Sequence, residues 1–172
     1  MQKTVKYTIF KTKWGYFGLA GTENSLLRTH LPHANRQIVK KNLLKNLPTP
    51  KYDQNLFKSL QNQIKAYFHG KYTDFDDSPL FVLNGLSDFN RAVLRACKKI
   101  RYGQKVTYGQ LARNINQPKA ARAIGNALGK NPMPLIIPCH RIIKSNGQPG
   151  GFSATGGVTI KKRLLSHELQ TH

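Results

Sequence analysis

The chain has 172 residues, 39% of them hydrophobic, with 28 Lys and Arg against seven Asp and Glu and a formal net charge of +21. That length suffices for one sizeable core or two small ones. Two cysteines, no apolar run of membrane-spanning length and no basic-then-apolar leader argue against a disulfide-stapled secreted scaffold and against a membrane protein, so a reducing compartment is expected: cytoplasmic in a prokaryote, nuclear if the source is a eukaryote. Folding never requires such a charge excess, and self-repulsion opposes it, so a polyanionic partner is implied. From Phe89 onward fifteen cations stand against one acid, Glu168, whereas the first 88 residues carry thirteen against six. Nucleic acid explains that bias better than an anionic membrane or a merely soluble basic surface.

In chain order, "TVKYTIF" (4–10) alternates with the strand period, "GYFGLAGT" reads as its hairpin partner and "SLLRTHL" as a third strand. After the "LPTP" break, Leu56, Phe57, Leu60, Ile64 and Tyr67 predict a helix from about Asp53 to His69 that covers the sheet. "HGKYTDFDDSPLFVLNG" (69–85) is rich in Asp, Gly and turn signals and marks a boundary between domains at 1–86 and 87–172. Ser87 or Asp88 can cap a helix with the stripe Phe89, Val93, Ala96, Cys97 and Ile100, which makes Cys97 a buried, inert thiol. Thr107 can cap a short helix through Leu111 and Ile115. "NINQP" turns the chain, and a second helix runs from Pro118 to near Gly129. The pair suggests a helix-turn-helix. The second helix has a small face, Ala120, Ala121, Ala123, Gly125 and Ala127, which fits close approach either to another helix or to a ligand.

"LIIPCHRII" (135–143) then places Cys139 behind Pro138 and beside His140. Proline biases Ile137 toward an extended conformation and cannot donate to a central ladder, so Cys139 is expected at the end or edge of a strand, where a thiol can be presented. Neighbouring side chains in an extended chain point to opposite faces, so His140 can reach Cys139 only through a bend or a water. A buried thiol beside a structural histidine is the plainer alternative. In the last helix Ile160, Leu164 and Glu168 fall at i, i+4 and i+8, which turns Glu168 inward, while Lys161, Lys162 and Arg163 begin other faces. A buried carboxylate at the unfavourable end of a helix dipole needs a donor, either His140 or an arginine such as Arg141. An adjacent imidazole, or a hydrogen-bond relay through one, is expected to lower the Cys139 pKa.

"VTYGQLA", "KAARAIGNAL", "NPMPLIIPCHRII" and "KKRLLSHE" together resemble the O6-alkylguanine-DNA alkyltransferases, or methylated-DNA–protein-cysteine methyltransferases, from about Phe89 to Glu168. The resemblance implies an α+β fold, with a small ribonuclease H-like sheet-and-helix domain followed by a mainly helical domain containing a helix-turn-helix. It implies a DNA repair protein that takes O6-alkylguanine out of the minor-groove side of a duplex and transfers the alkyl group irreversibly to Cys139, once per chain. Glu168, His140 and a water would form the proton relay, Asn131 would tie the helix-turn-helix to the cysteine loop, and Tyr108 would crowd the phosphate and hydrogen-bond the guanine ring. Arg122 would fill the vacated stack, with Ala121, Lys119, Thr107, Tyr108 and Arg141 also on the DNA-binding surface. Met133, Ile142, Phe152 and Ser153 would form the pocket, Ser153 through its backbone N–H and Ile142 through its carbonyl. No metal or organic cofactor is expected, nor a membrane; the chain is expected to act as a monomer. The family's zinc-holding N-terminal cysteines are absent, which leaves His30 and His33 as surface or core histidines. The loop from Ser153 to Gly156 is longer than in the mammalian form, and Phe152 replaces a frequent tyrosine.

Three rivals share parts of this pattern. A thiol hydrolase also uses Cys and His, but has no need of the basic excess and would turn over. The alkyltransferase-like proteins bind damaged DNA on this fold without the acceptor cysteine, which this chain has at Cys139. A general basic nucleic-acid protein would ignore the alkylated base.

Overall fold

Strand β1, Lys6–Thr12, buries Tyr7, Thr8, Ile9 and Phe10 in succession, and only a sheet covered on both faces allows that. The computed structural model describes residues 4–170 and divides into two units, one ending at Leu83 and the other starting at Asn84. In the first, β1 pairs antiparallel with β2 (Gly15–Gly21), which pairs antiparallel with β3 (Ser25–His33). The two-residue strands β4 (Lys51–Tyr52) and β5 (Leu80–Phe81) add in parallel at the edges, giving the order β4-β1-β2-β3-β5. Helix α1, Arg36–Leu44, lays Val39 and Leu43 against Tyr7, Ile9 and Ala20 on one face. Helix α2, Lys58–Phe68, brings Phe68 against Phe17, which packs on Phe10, on the other.

The three long strands lie where the sequence predicts them, but two helices differ from expectation. Helix α2 begins at Lys58, because residues 53 to 57 form a turn in which Asp53 Oδ1 accepts from the Asn55 amide and Phe57 takes a positive φ of 52°. Helix α1 has no counterpart in the sequence reading. Its apolar stripe is reduced to Val39 and Leu43 among lysines, although Asn35 caps it by accepting from the amides of Gln37 and Ile38.

The second unit is mainly helical. Its elements are α3 (Asp88–Lys98), β6 (Val106–Thr107), α4 (Tyr108–Asn114), α5 (Ala121–Leu128), a single 3-10 turn (Cys139–Arg141), β7 (Ile142–Ile143) and α6 (Gly157–Leu169). Helix α5 packs on both α3 and α4, and α6 packs on the 3-10 turn. The buried stripe of α3 includes Leu94 beside Val93 and Cys97, and Cys97 is a free, buried thiol. Helix α5 starts at Ala121, after the Pro118 turn. Its small residues divide: Ala127 packs inward with Ile124 and Leu128, while Ala121 is exposed. The mixed α+β first unit and helical second unit are the fold class expected from the sequence.

Thr107 closes a capping box on α4: its Oγ1 accepts from the Gln110 amide, while Gln110 Oε1 accepts from the Thr107 amide. That box sets the first helical residue, Tyr108, in a fixed orientation. Thr107→Ala should destabilise the second unit by about 1 kcal/mol, read as a lower denaturant midpoint; an unchanged midpoint would show that the cap contributes nothing.

Candidate active site

Pro138, at φ −81° and ψ 61°, does not lead Cys139 out of a strand. The backbone turns there instead: the Arg141 amide donates to the Pro138 carbonyl at 2.9 Å, closing the 3-10 turn. The bend required for cooperation between neighbours is therefore present, and His140 points inward. Asn131 braces the turn from the far side. Its Nδ2 donates to the Ile137 carbonyl at 2.9 Å and to Cys139 Sγ at 3.2 Å, and its Oδ1 accepts from the Met133 amide at 2.9 Å.

Behind the turn lies a buried charge cluster centred on Glu168. His140 Nε2 stands 2.7 Å from Glu168 Oε1. Arg141 donates from Nε to Oε2 at 3.0 Å and from Nη2 to Oε1 at 3.0 Å, and the Gly103 amide donates to Oε2 at 3.1 Å. Arg141 Nη1 donates in addition to the Ile100 carbonyl at 2.6 Å, and its guanidinium lies 5.8 Å from the Tyr102 ring centre. Both donors proposed for Glu168 therefore bind it at once. Burial pushes the Glu168 carboxyl upward, but hydrogen bonds from His140 and Arg141 and the Arg141 charge overcome it and hold the group well below the usual carboxylate range. Burial lowers the His140 pKa against the upward pull of Glu168. The imidazole is thus neutral at neutral pH. With an ionised carboxylate as acceptor, its proton sits on Nε2, and Nδ1 is buried and bare of any hydrogen-bond partner among the described residues.

The expected lowering of the thiol pKa is corrected by the burial of Cys139, which is 6% exposed. Desolvation raises the thiol above its ordinary value, and the Asn131 hydrogen bond and the Lys161 charge offset only part of it. A second correction concerns Lys161 itself, which the sequence places on another face of α6 than the buried stripe. It is 1% exposed, because the buried stripe of that helix runs Lys161, Leu164, Glu168, at i, i+3 and i+7. Its Nζ donates to the Gly151 carbonyl at 3.3 Å between the Tyr108 and Phe152 rings, 5.8 and 5.9 Å away. Burial lowers its pKa to about 8. The signal was present in the sequence, since spacings of three and four are equally helical.

Cys139 opens into a cleft of about 970 Å³ that is also lined by Thr107, Tyr108, Ala121, Arg122, Phe152, Ser153 and Lys161. Gly150, at φ +75°, forms part of this wall; a Cβ there would stand 2.5 Å from the Tyr108 hydroxyl, so glycine alone lets the loop reach that phenol. Burial and the facing thiol raise the Tyr108 pKa, which keeps the phenol protonated. Three expectations fail here. Arg141 is 2% exposed and tied to Glu168, so it cannot belong to a DNA-binding surface. Met133 and Ile142 are fully buried and do not line the cleft. Lys119, expected on the DNA-binding surface, is exposed on the turn before α5 and does not line the cleft itself. Ser153 Oγ donates to the Gly129 carbonyl at 3.1 Å, joining the glycine-rich loop to the end of α5.

A thiol raised by burial is mostly protonated at neutral pH, so alkylation of Cys139 by a small neutral reagent should accelerate as pH rises from 6. Above pH 8 the gain should flatten as Lys161 loses its charge. Lys161→Met should slow the reaction at pH 7 by roughly tenfold, one pKa unit, with Cys97 unmodified throughout. Intact-protein mass against time reads this, and a rate independent of pH between 6 and 9 would contradict it.

Two family models match the chain: the ribonuclease-like domain of 6-O-methylguanine DNA methyltransferase over residues 5–81, and the DNA binding domain of the same family over residues 88–170. A methylated-DNA–protein-cysteine methyltransferase of Methanosarcina acetivorans is 35% identical over 94% of this chain and 97% of its own length. One of Haemophilus influenzae is 38% identical over 70% of this chain and 68% of its own. The crystal structure of Mycobacterium tuberculosis OGT in complex with DNA matches with a TM-score of 0.80 at 33% identity, covering 96% of this chain and 94% of that one. The two units, the thiol cleft and these likenesses at both ends of the sequence agree, and the chain belongs to the 6-O-methylguanine DNA methyltransferase family.

Proposed function

We propose that this chain repairs O6-alkylguanine in double-stranded DNA by transferring the alkyl group to its own Cys139, once and irreversibly. The observation that carries the proposal is Cys139 at the floor of a cation-lined cleft, backed by His140 and Glu168. Sulfur attacks the alkyl carbon, the C–S bond forms as the C–O6 bond breaks, and the electron pair leaves on the guanine. The thiol proton passes through a water to the bare Nδ1 of His140, and the imidazolium so formed is stabilised by Glu168 on the other side of the ring. Tyr108, held as a neutral phenol, donates to the departing guanine ring, so the leaving group need not carry a full charge. The thioether product has no leaving group that water can displace under the same conditions, so the chain is consumed.

The alkyl carbon is inaccessible inside a duplex, so the nucleotide must be extruded, at a cost of about a few kcal/mol. Arg122, exposed on α5 and lining the cleft, fills the vacated space, and the exposed Ala121 beside it lets the helix approach the minor groove. Asn131 steadies the sulfur, and Phe152 and Ser153 wall the base. The test is intact-protein and peptide mass spectrometry after mixing with a duplex carrying O6-methylguanine. One added methyl per chain, on Cys139, is expected, with no further turnover when fresh substrate is added. Catalytic turnover, or methylation of Cys97, would reject the proposal.

A further inference from the structure

Two cations at the cleft have no task in the chemistry above. The lining includes Arg113, Arg122, Lys144 and Lys161 and no carboxylate. Lys161 is buried against the thiol cleft and Arg122 serves the vacated stack, which leaves Arg113 and Lys144. Both are exposed, and neither side chain has a hydrogen bond, ion pair or ring contact with another described residue. Like charges gathered around one concavity repel one another, and an anion in that concavity relieves the repulsion.

Their supports make them a fixed pair. In the β6–β7 ladder Thr107 pairs with Ile143, so the next residues, Tyr108 and Lys144, leave it side by side. The Lys144 backbone is then closed into a tight turn: its amide donates to the Gln148 carbonyl at 2.8 Å, and its carbonyl accepts from the Gly147 amide at 3.0 Å. Arg113 folds back along α4, its Nη1 lying 3.7 Å from the position a Cβ on Gly109 would take, in the first turn beside Tyr108. Arg113 and Lys144 therefore line the same cleft as the Tyr108 phenol, from elements other than α5.

We infer that Arg113 and Lys144 form a phosphate clamp for the backbone on either side of the extruded nucleotide. The inference rests on the repair reading. A base that reaches Cys139 brings its own sugar with it, and the phosphates that flank that sugar must then stop at the rim. Two unpaired cations on rigid supports at that rim neutralise them. The clamp takes no part in reading the base; it supplies affinity and fixes the depth to which the nucleotide enters.

Each phosphate neutralised by a cation releases condensed counterions, so the slope of log K against log salt concentration counts the contacts at about 0.9 per phosphate. The full-length chain with Cys139→Ser, which cannot be consumed, is titrated with an O6-methylguanine duplex over a series of NaCl concentrations. Arg113→Gln and Lys144→Gln should each make the slope shallower by about 0.9, and the double variant by about 1.8. Lys144→Arg should keep the parent slope, as should Lys162→Gln, an exposed cation of α6 outside the lining. Unchanged melting temperatures exclude unfolding as the cause. Parent slopes in the Arg113 and Lys144 variants, or an equal loss in Lys162→Gln, would overturn the clamp alone. A parent chain with no salt-dependent duplex binding would overturn the clamp and the repair reading together.

Discussion

The second unit is organised around one carboxylate buried where an unpaired charge could not survive. Glu168 sits at the last turn of α6, where the helix dipole disfavours an anion, and burial opposes its ionisation. It is retained as an anion because His140, Arg141 and the Gly103 amide all donate to it. These donors come from the 3-10 turn and from the loop after α3, so one side chain ties three parts of the unit together. Removing one partner from such a cluster leaves an uncompensated charge, typically at about 3–5 kcal/mol. Arg141 is therefore better understood as the counter-ion that lets Glu168 orient His140 than as a surface cation.

The same burial sets the chemistry. A thiol that is mostly neutral at rest is protected from adventitious electrophiles, and only a substrate held in line can make its activation productive. In the proposed repair reaction the proton leaves the thiol past groups that are already held in place. Glu168 holds the Nε2 side of the ring and Asn131 holds the sulfur, so little must move when the substrate arrives. Lys161 contributes a positive charge that burial has already weakened, enough to offset part of the desolvation of the thiol and small enough to be tolerated inside the protein.

Much of this could be read from residue order. The period-2 alternation of "TVKYTIF" located β1, and Thr107 announced its own cap. Glu168 was recognisable as an inward-facing acid because it shares a stripe with Leu164. What failed did so for identifiable reasons. The stripe of α6 can be drawn through Ile160 or through Lys161, and only packing chooses between them. Helix α1 carries its stripe on two fully buried residues, too few to rise above the surrounding lysines. Arg141 could be read from the sequence either as a donor to Glu168 or as a surface cation, and its partners Ile100, Tyr102 and Glu168, distant along the chain, decide for burial. The 3-10 turn at Cys139 was hidden for a different reason: Pro138 restricts the residue before it and leaves the following residues free to turn.

The central claim is that Glu168 holds His140 as a neutral base with its proton on Nε2 and Nδ1 free to accept one. Nitrogen-15 NMR of the His140 ring across pH 5 to 8 tests it directly, in the intact chain and in Glu168→Gln. The account predicts, in the intact chain, a protonated Nε2 and an unprotonated Nδ1 at neutral pH, with protonation displaced below the ordinary histidine pKa. In Glu168→Gln, loss of the anion that supports the imidazolium should displace that protonation further downward. A His140 that is doubly protonated at pH 7, or that carries its single proton on Nδ1, would contradict the account.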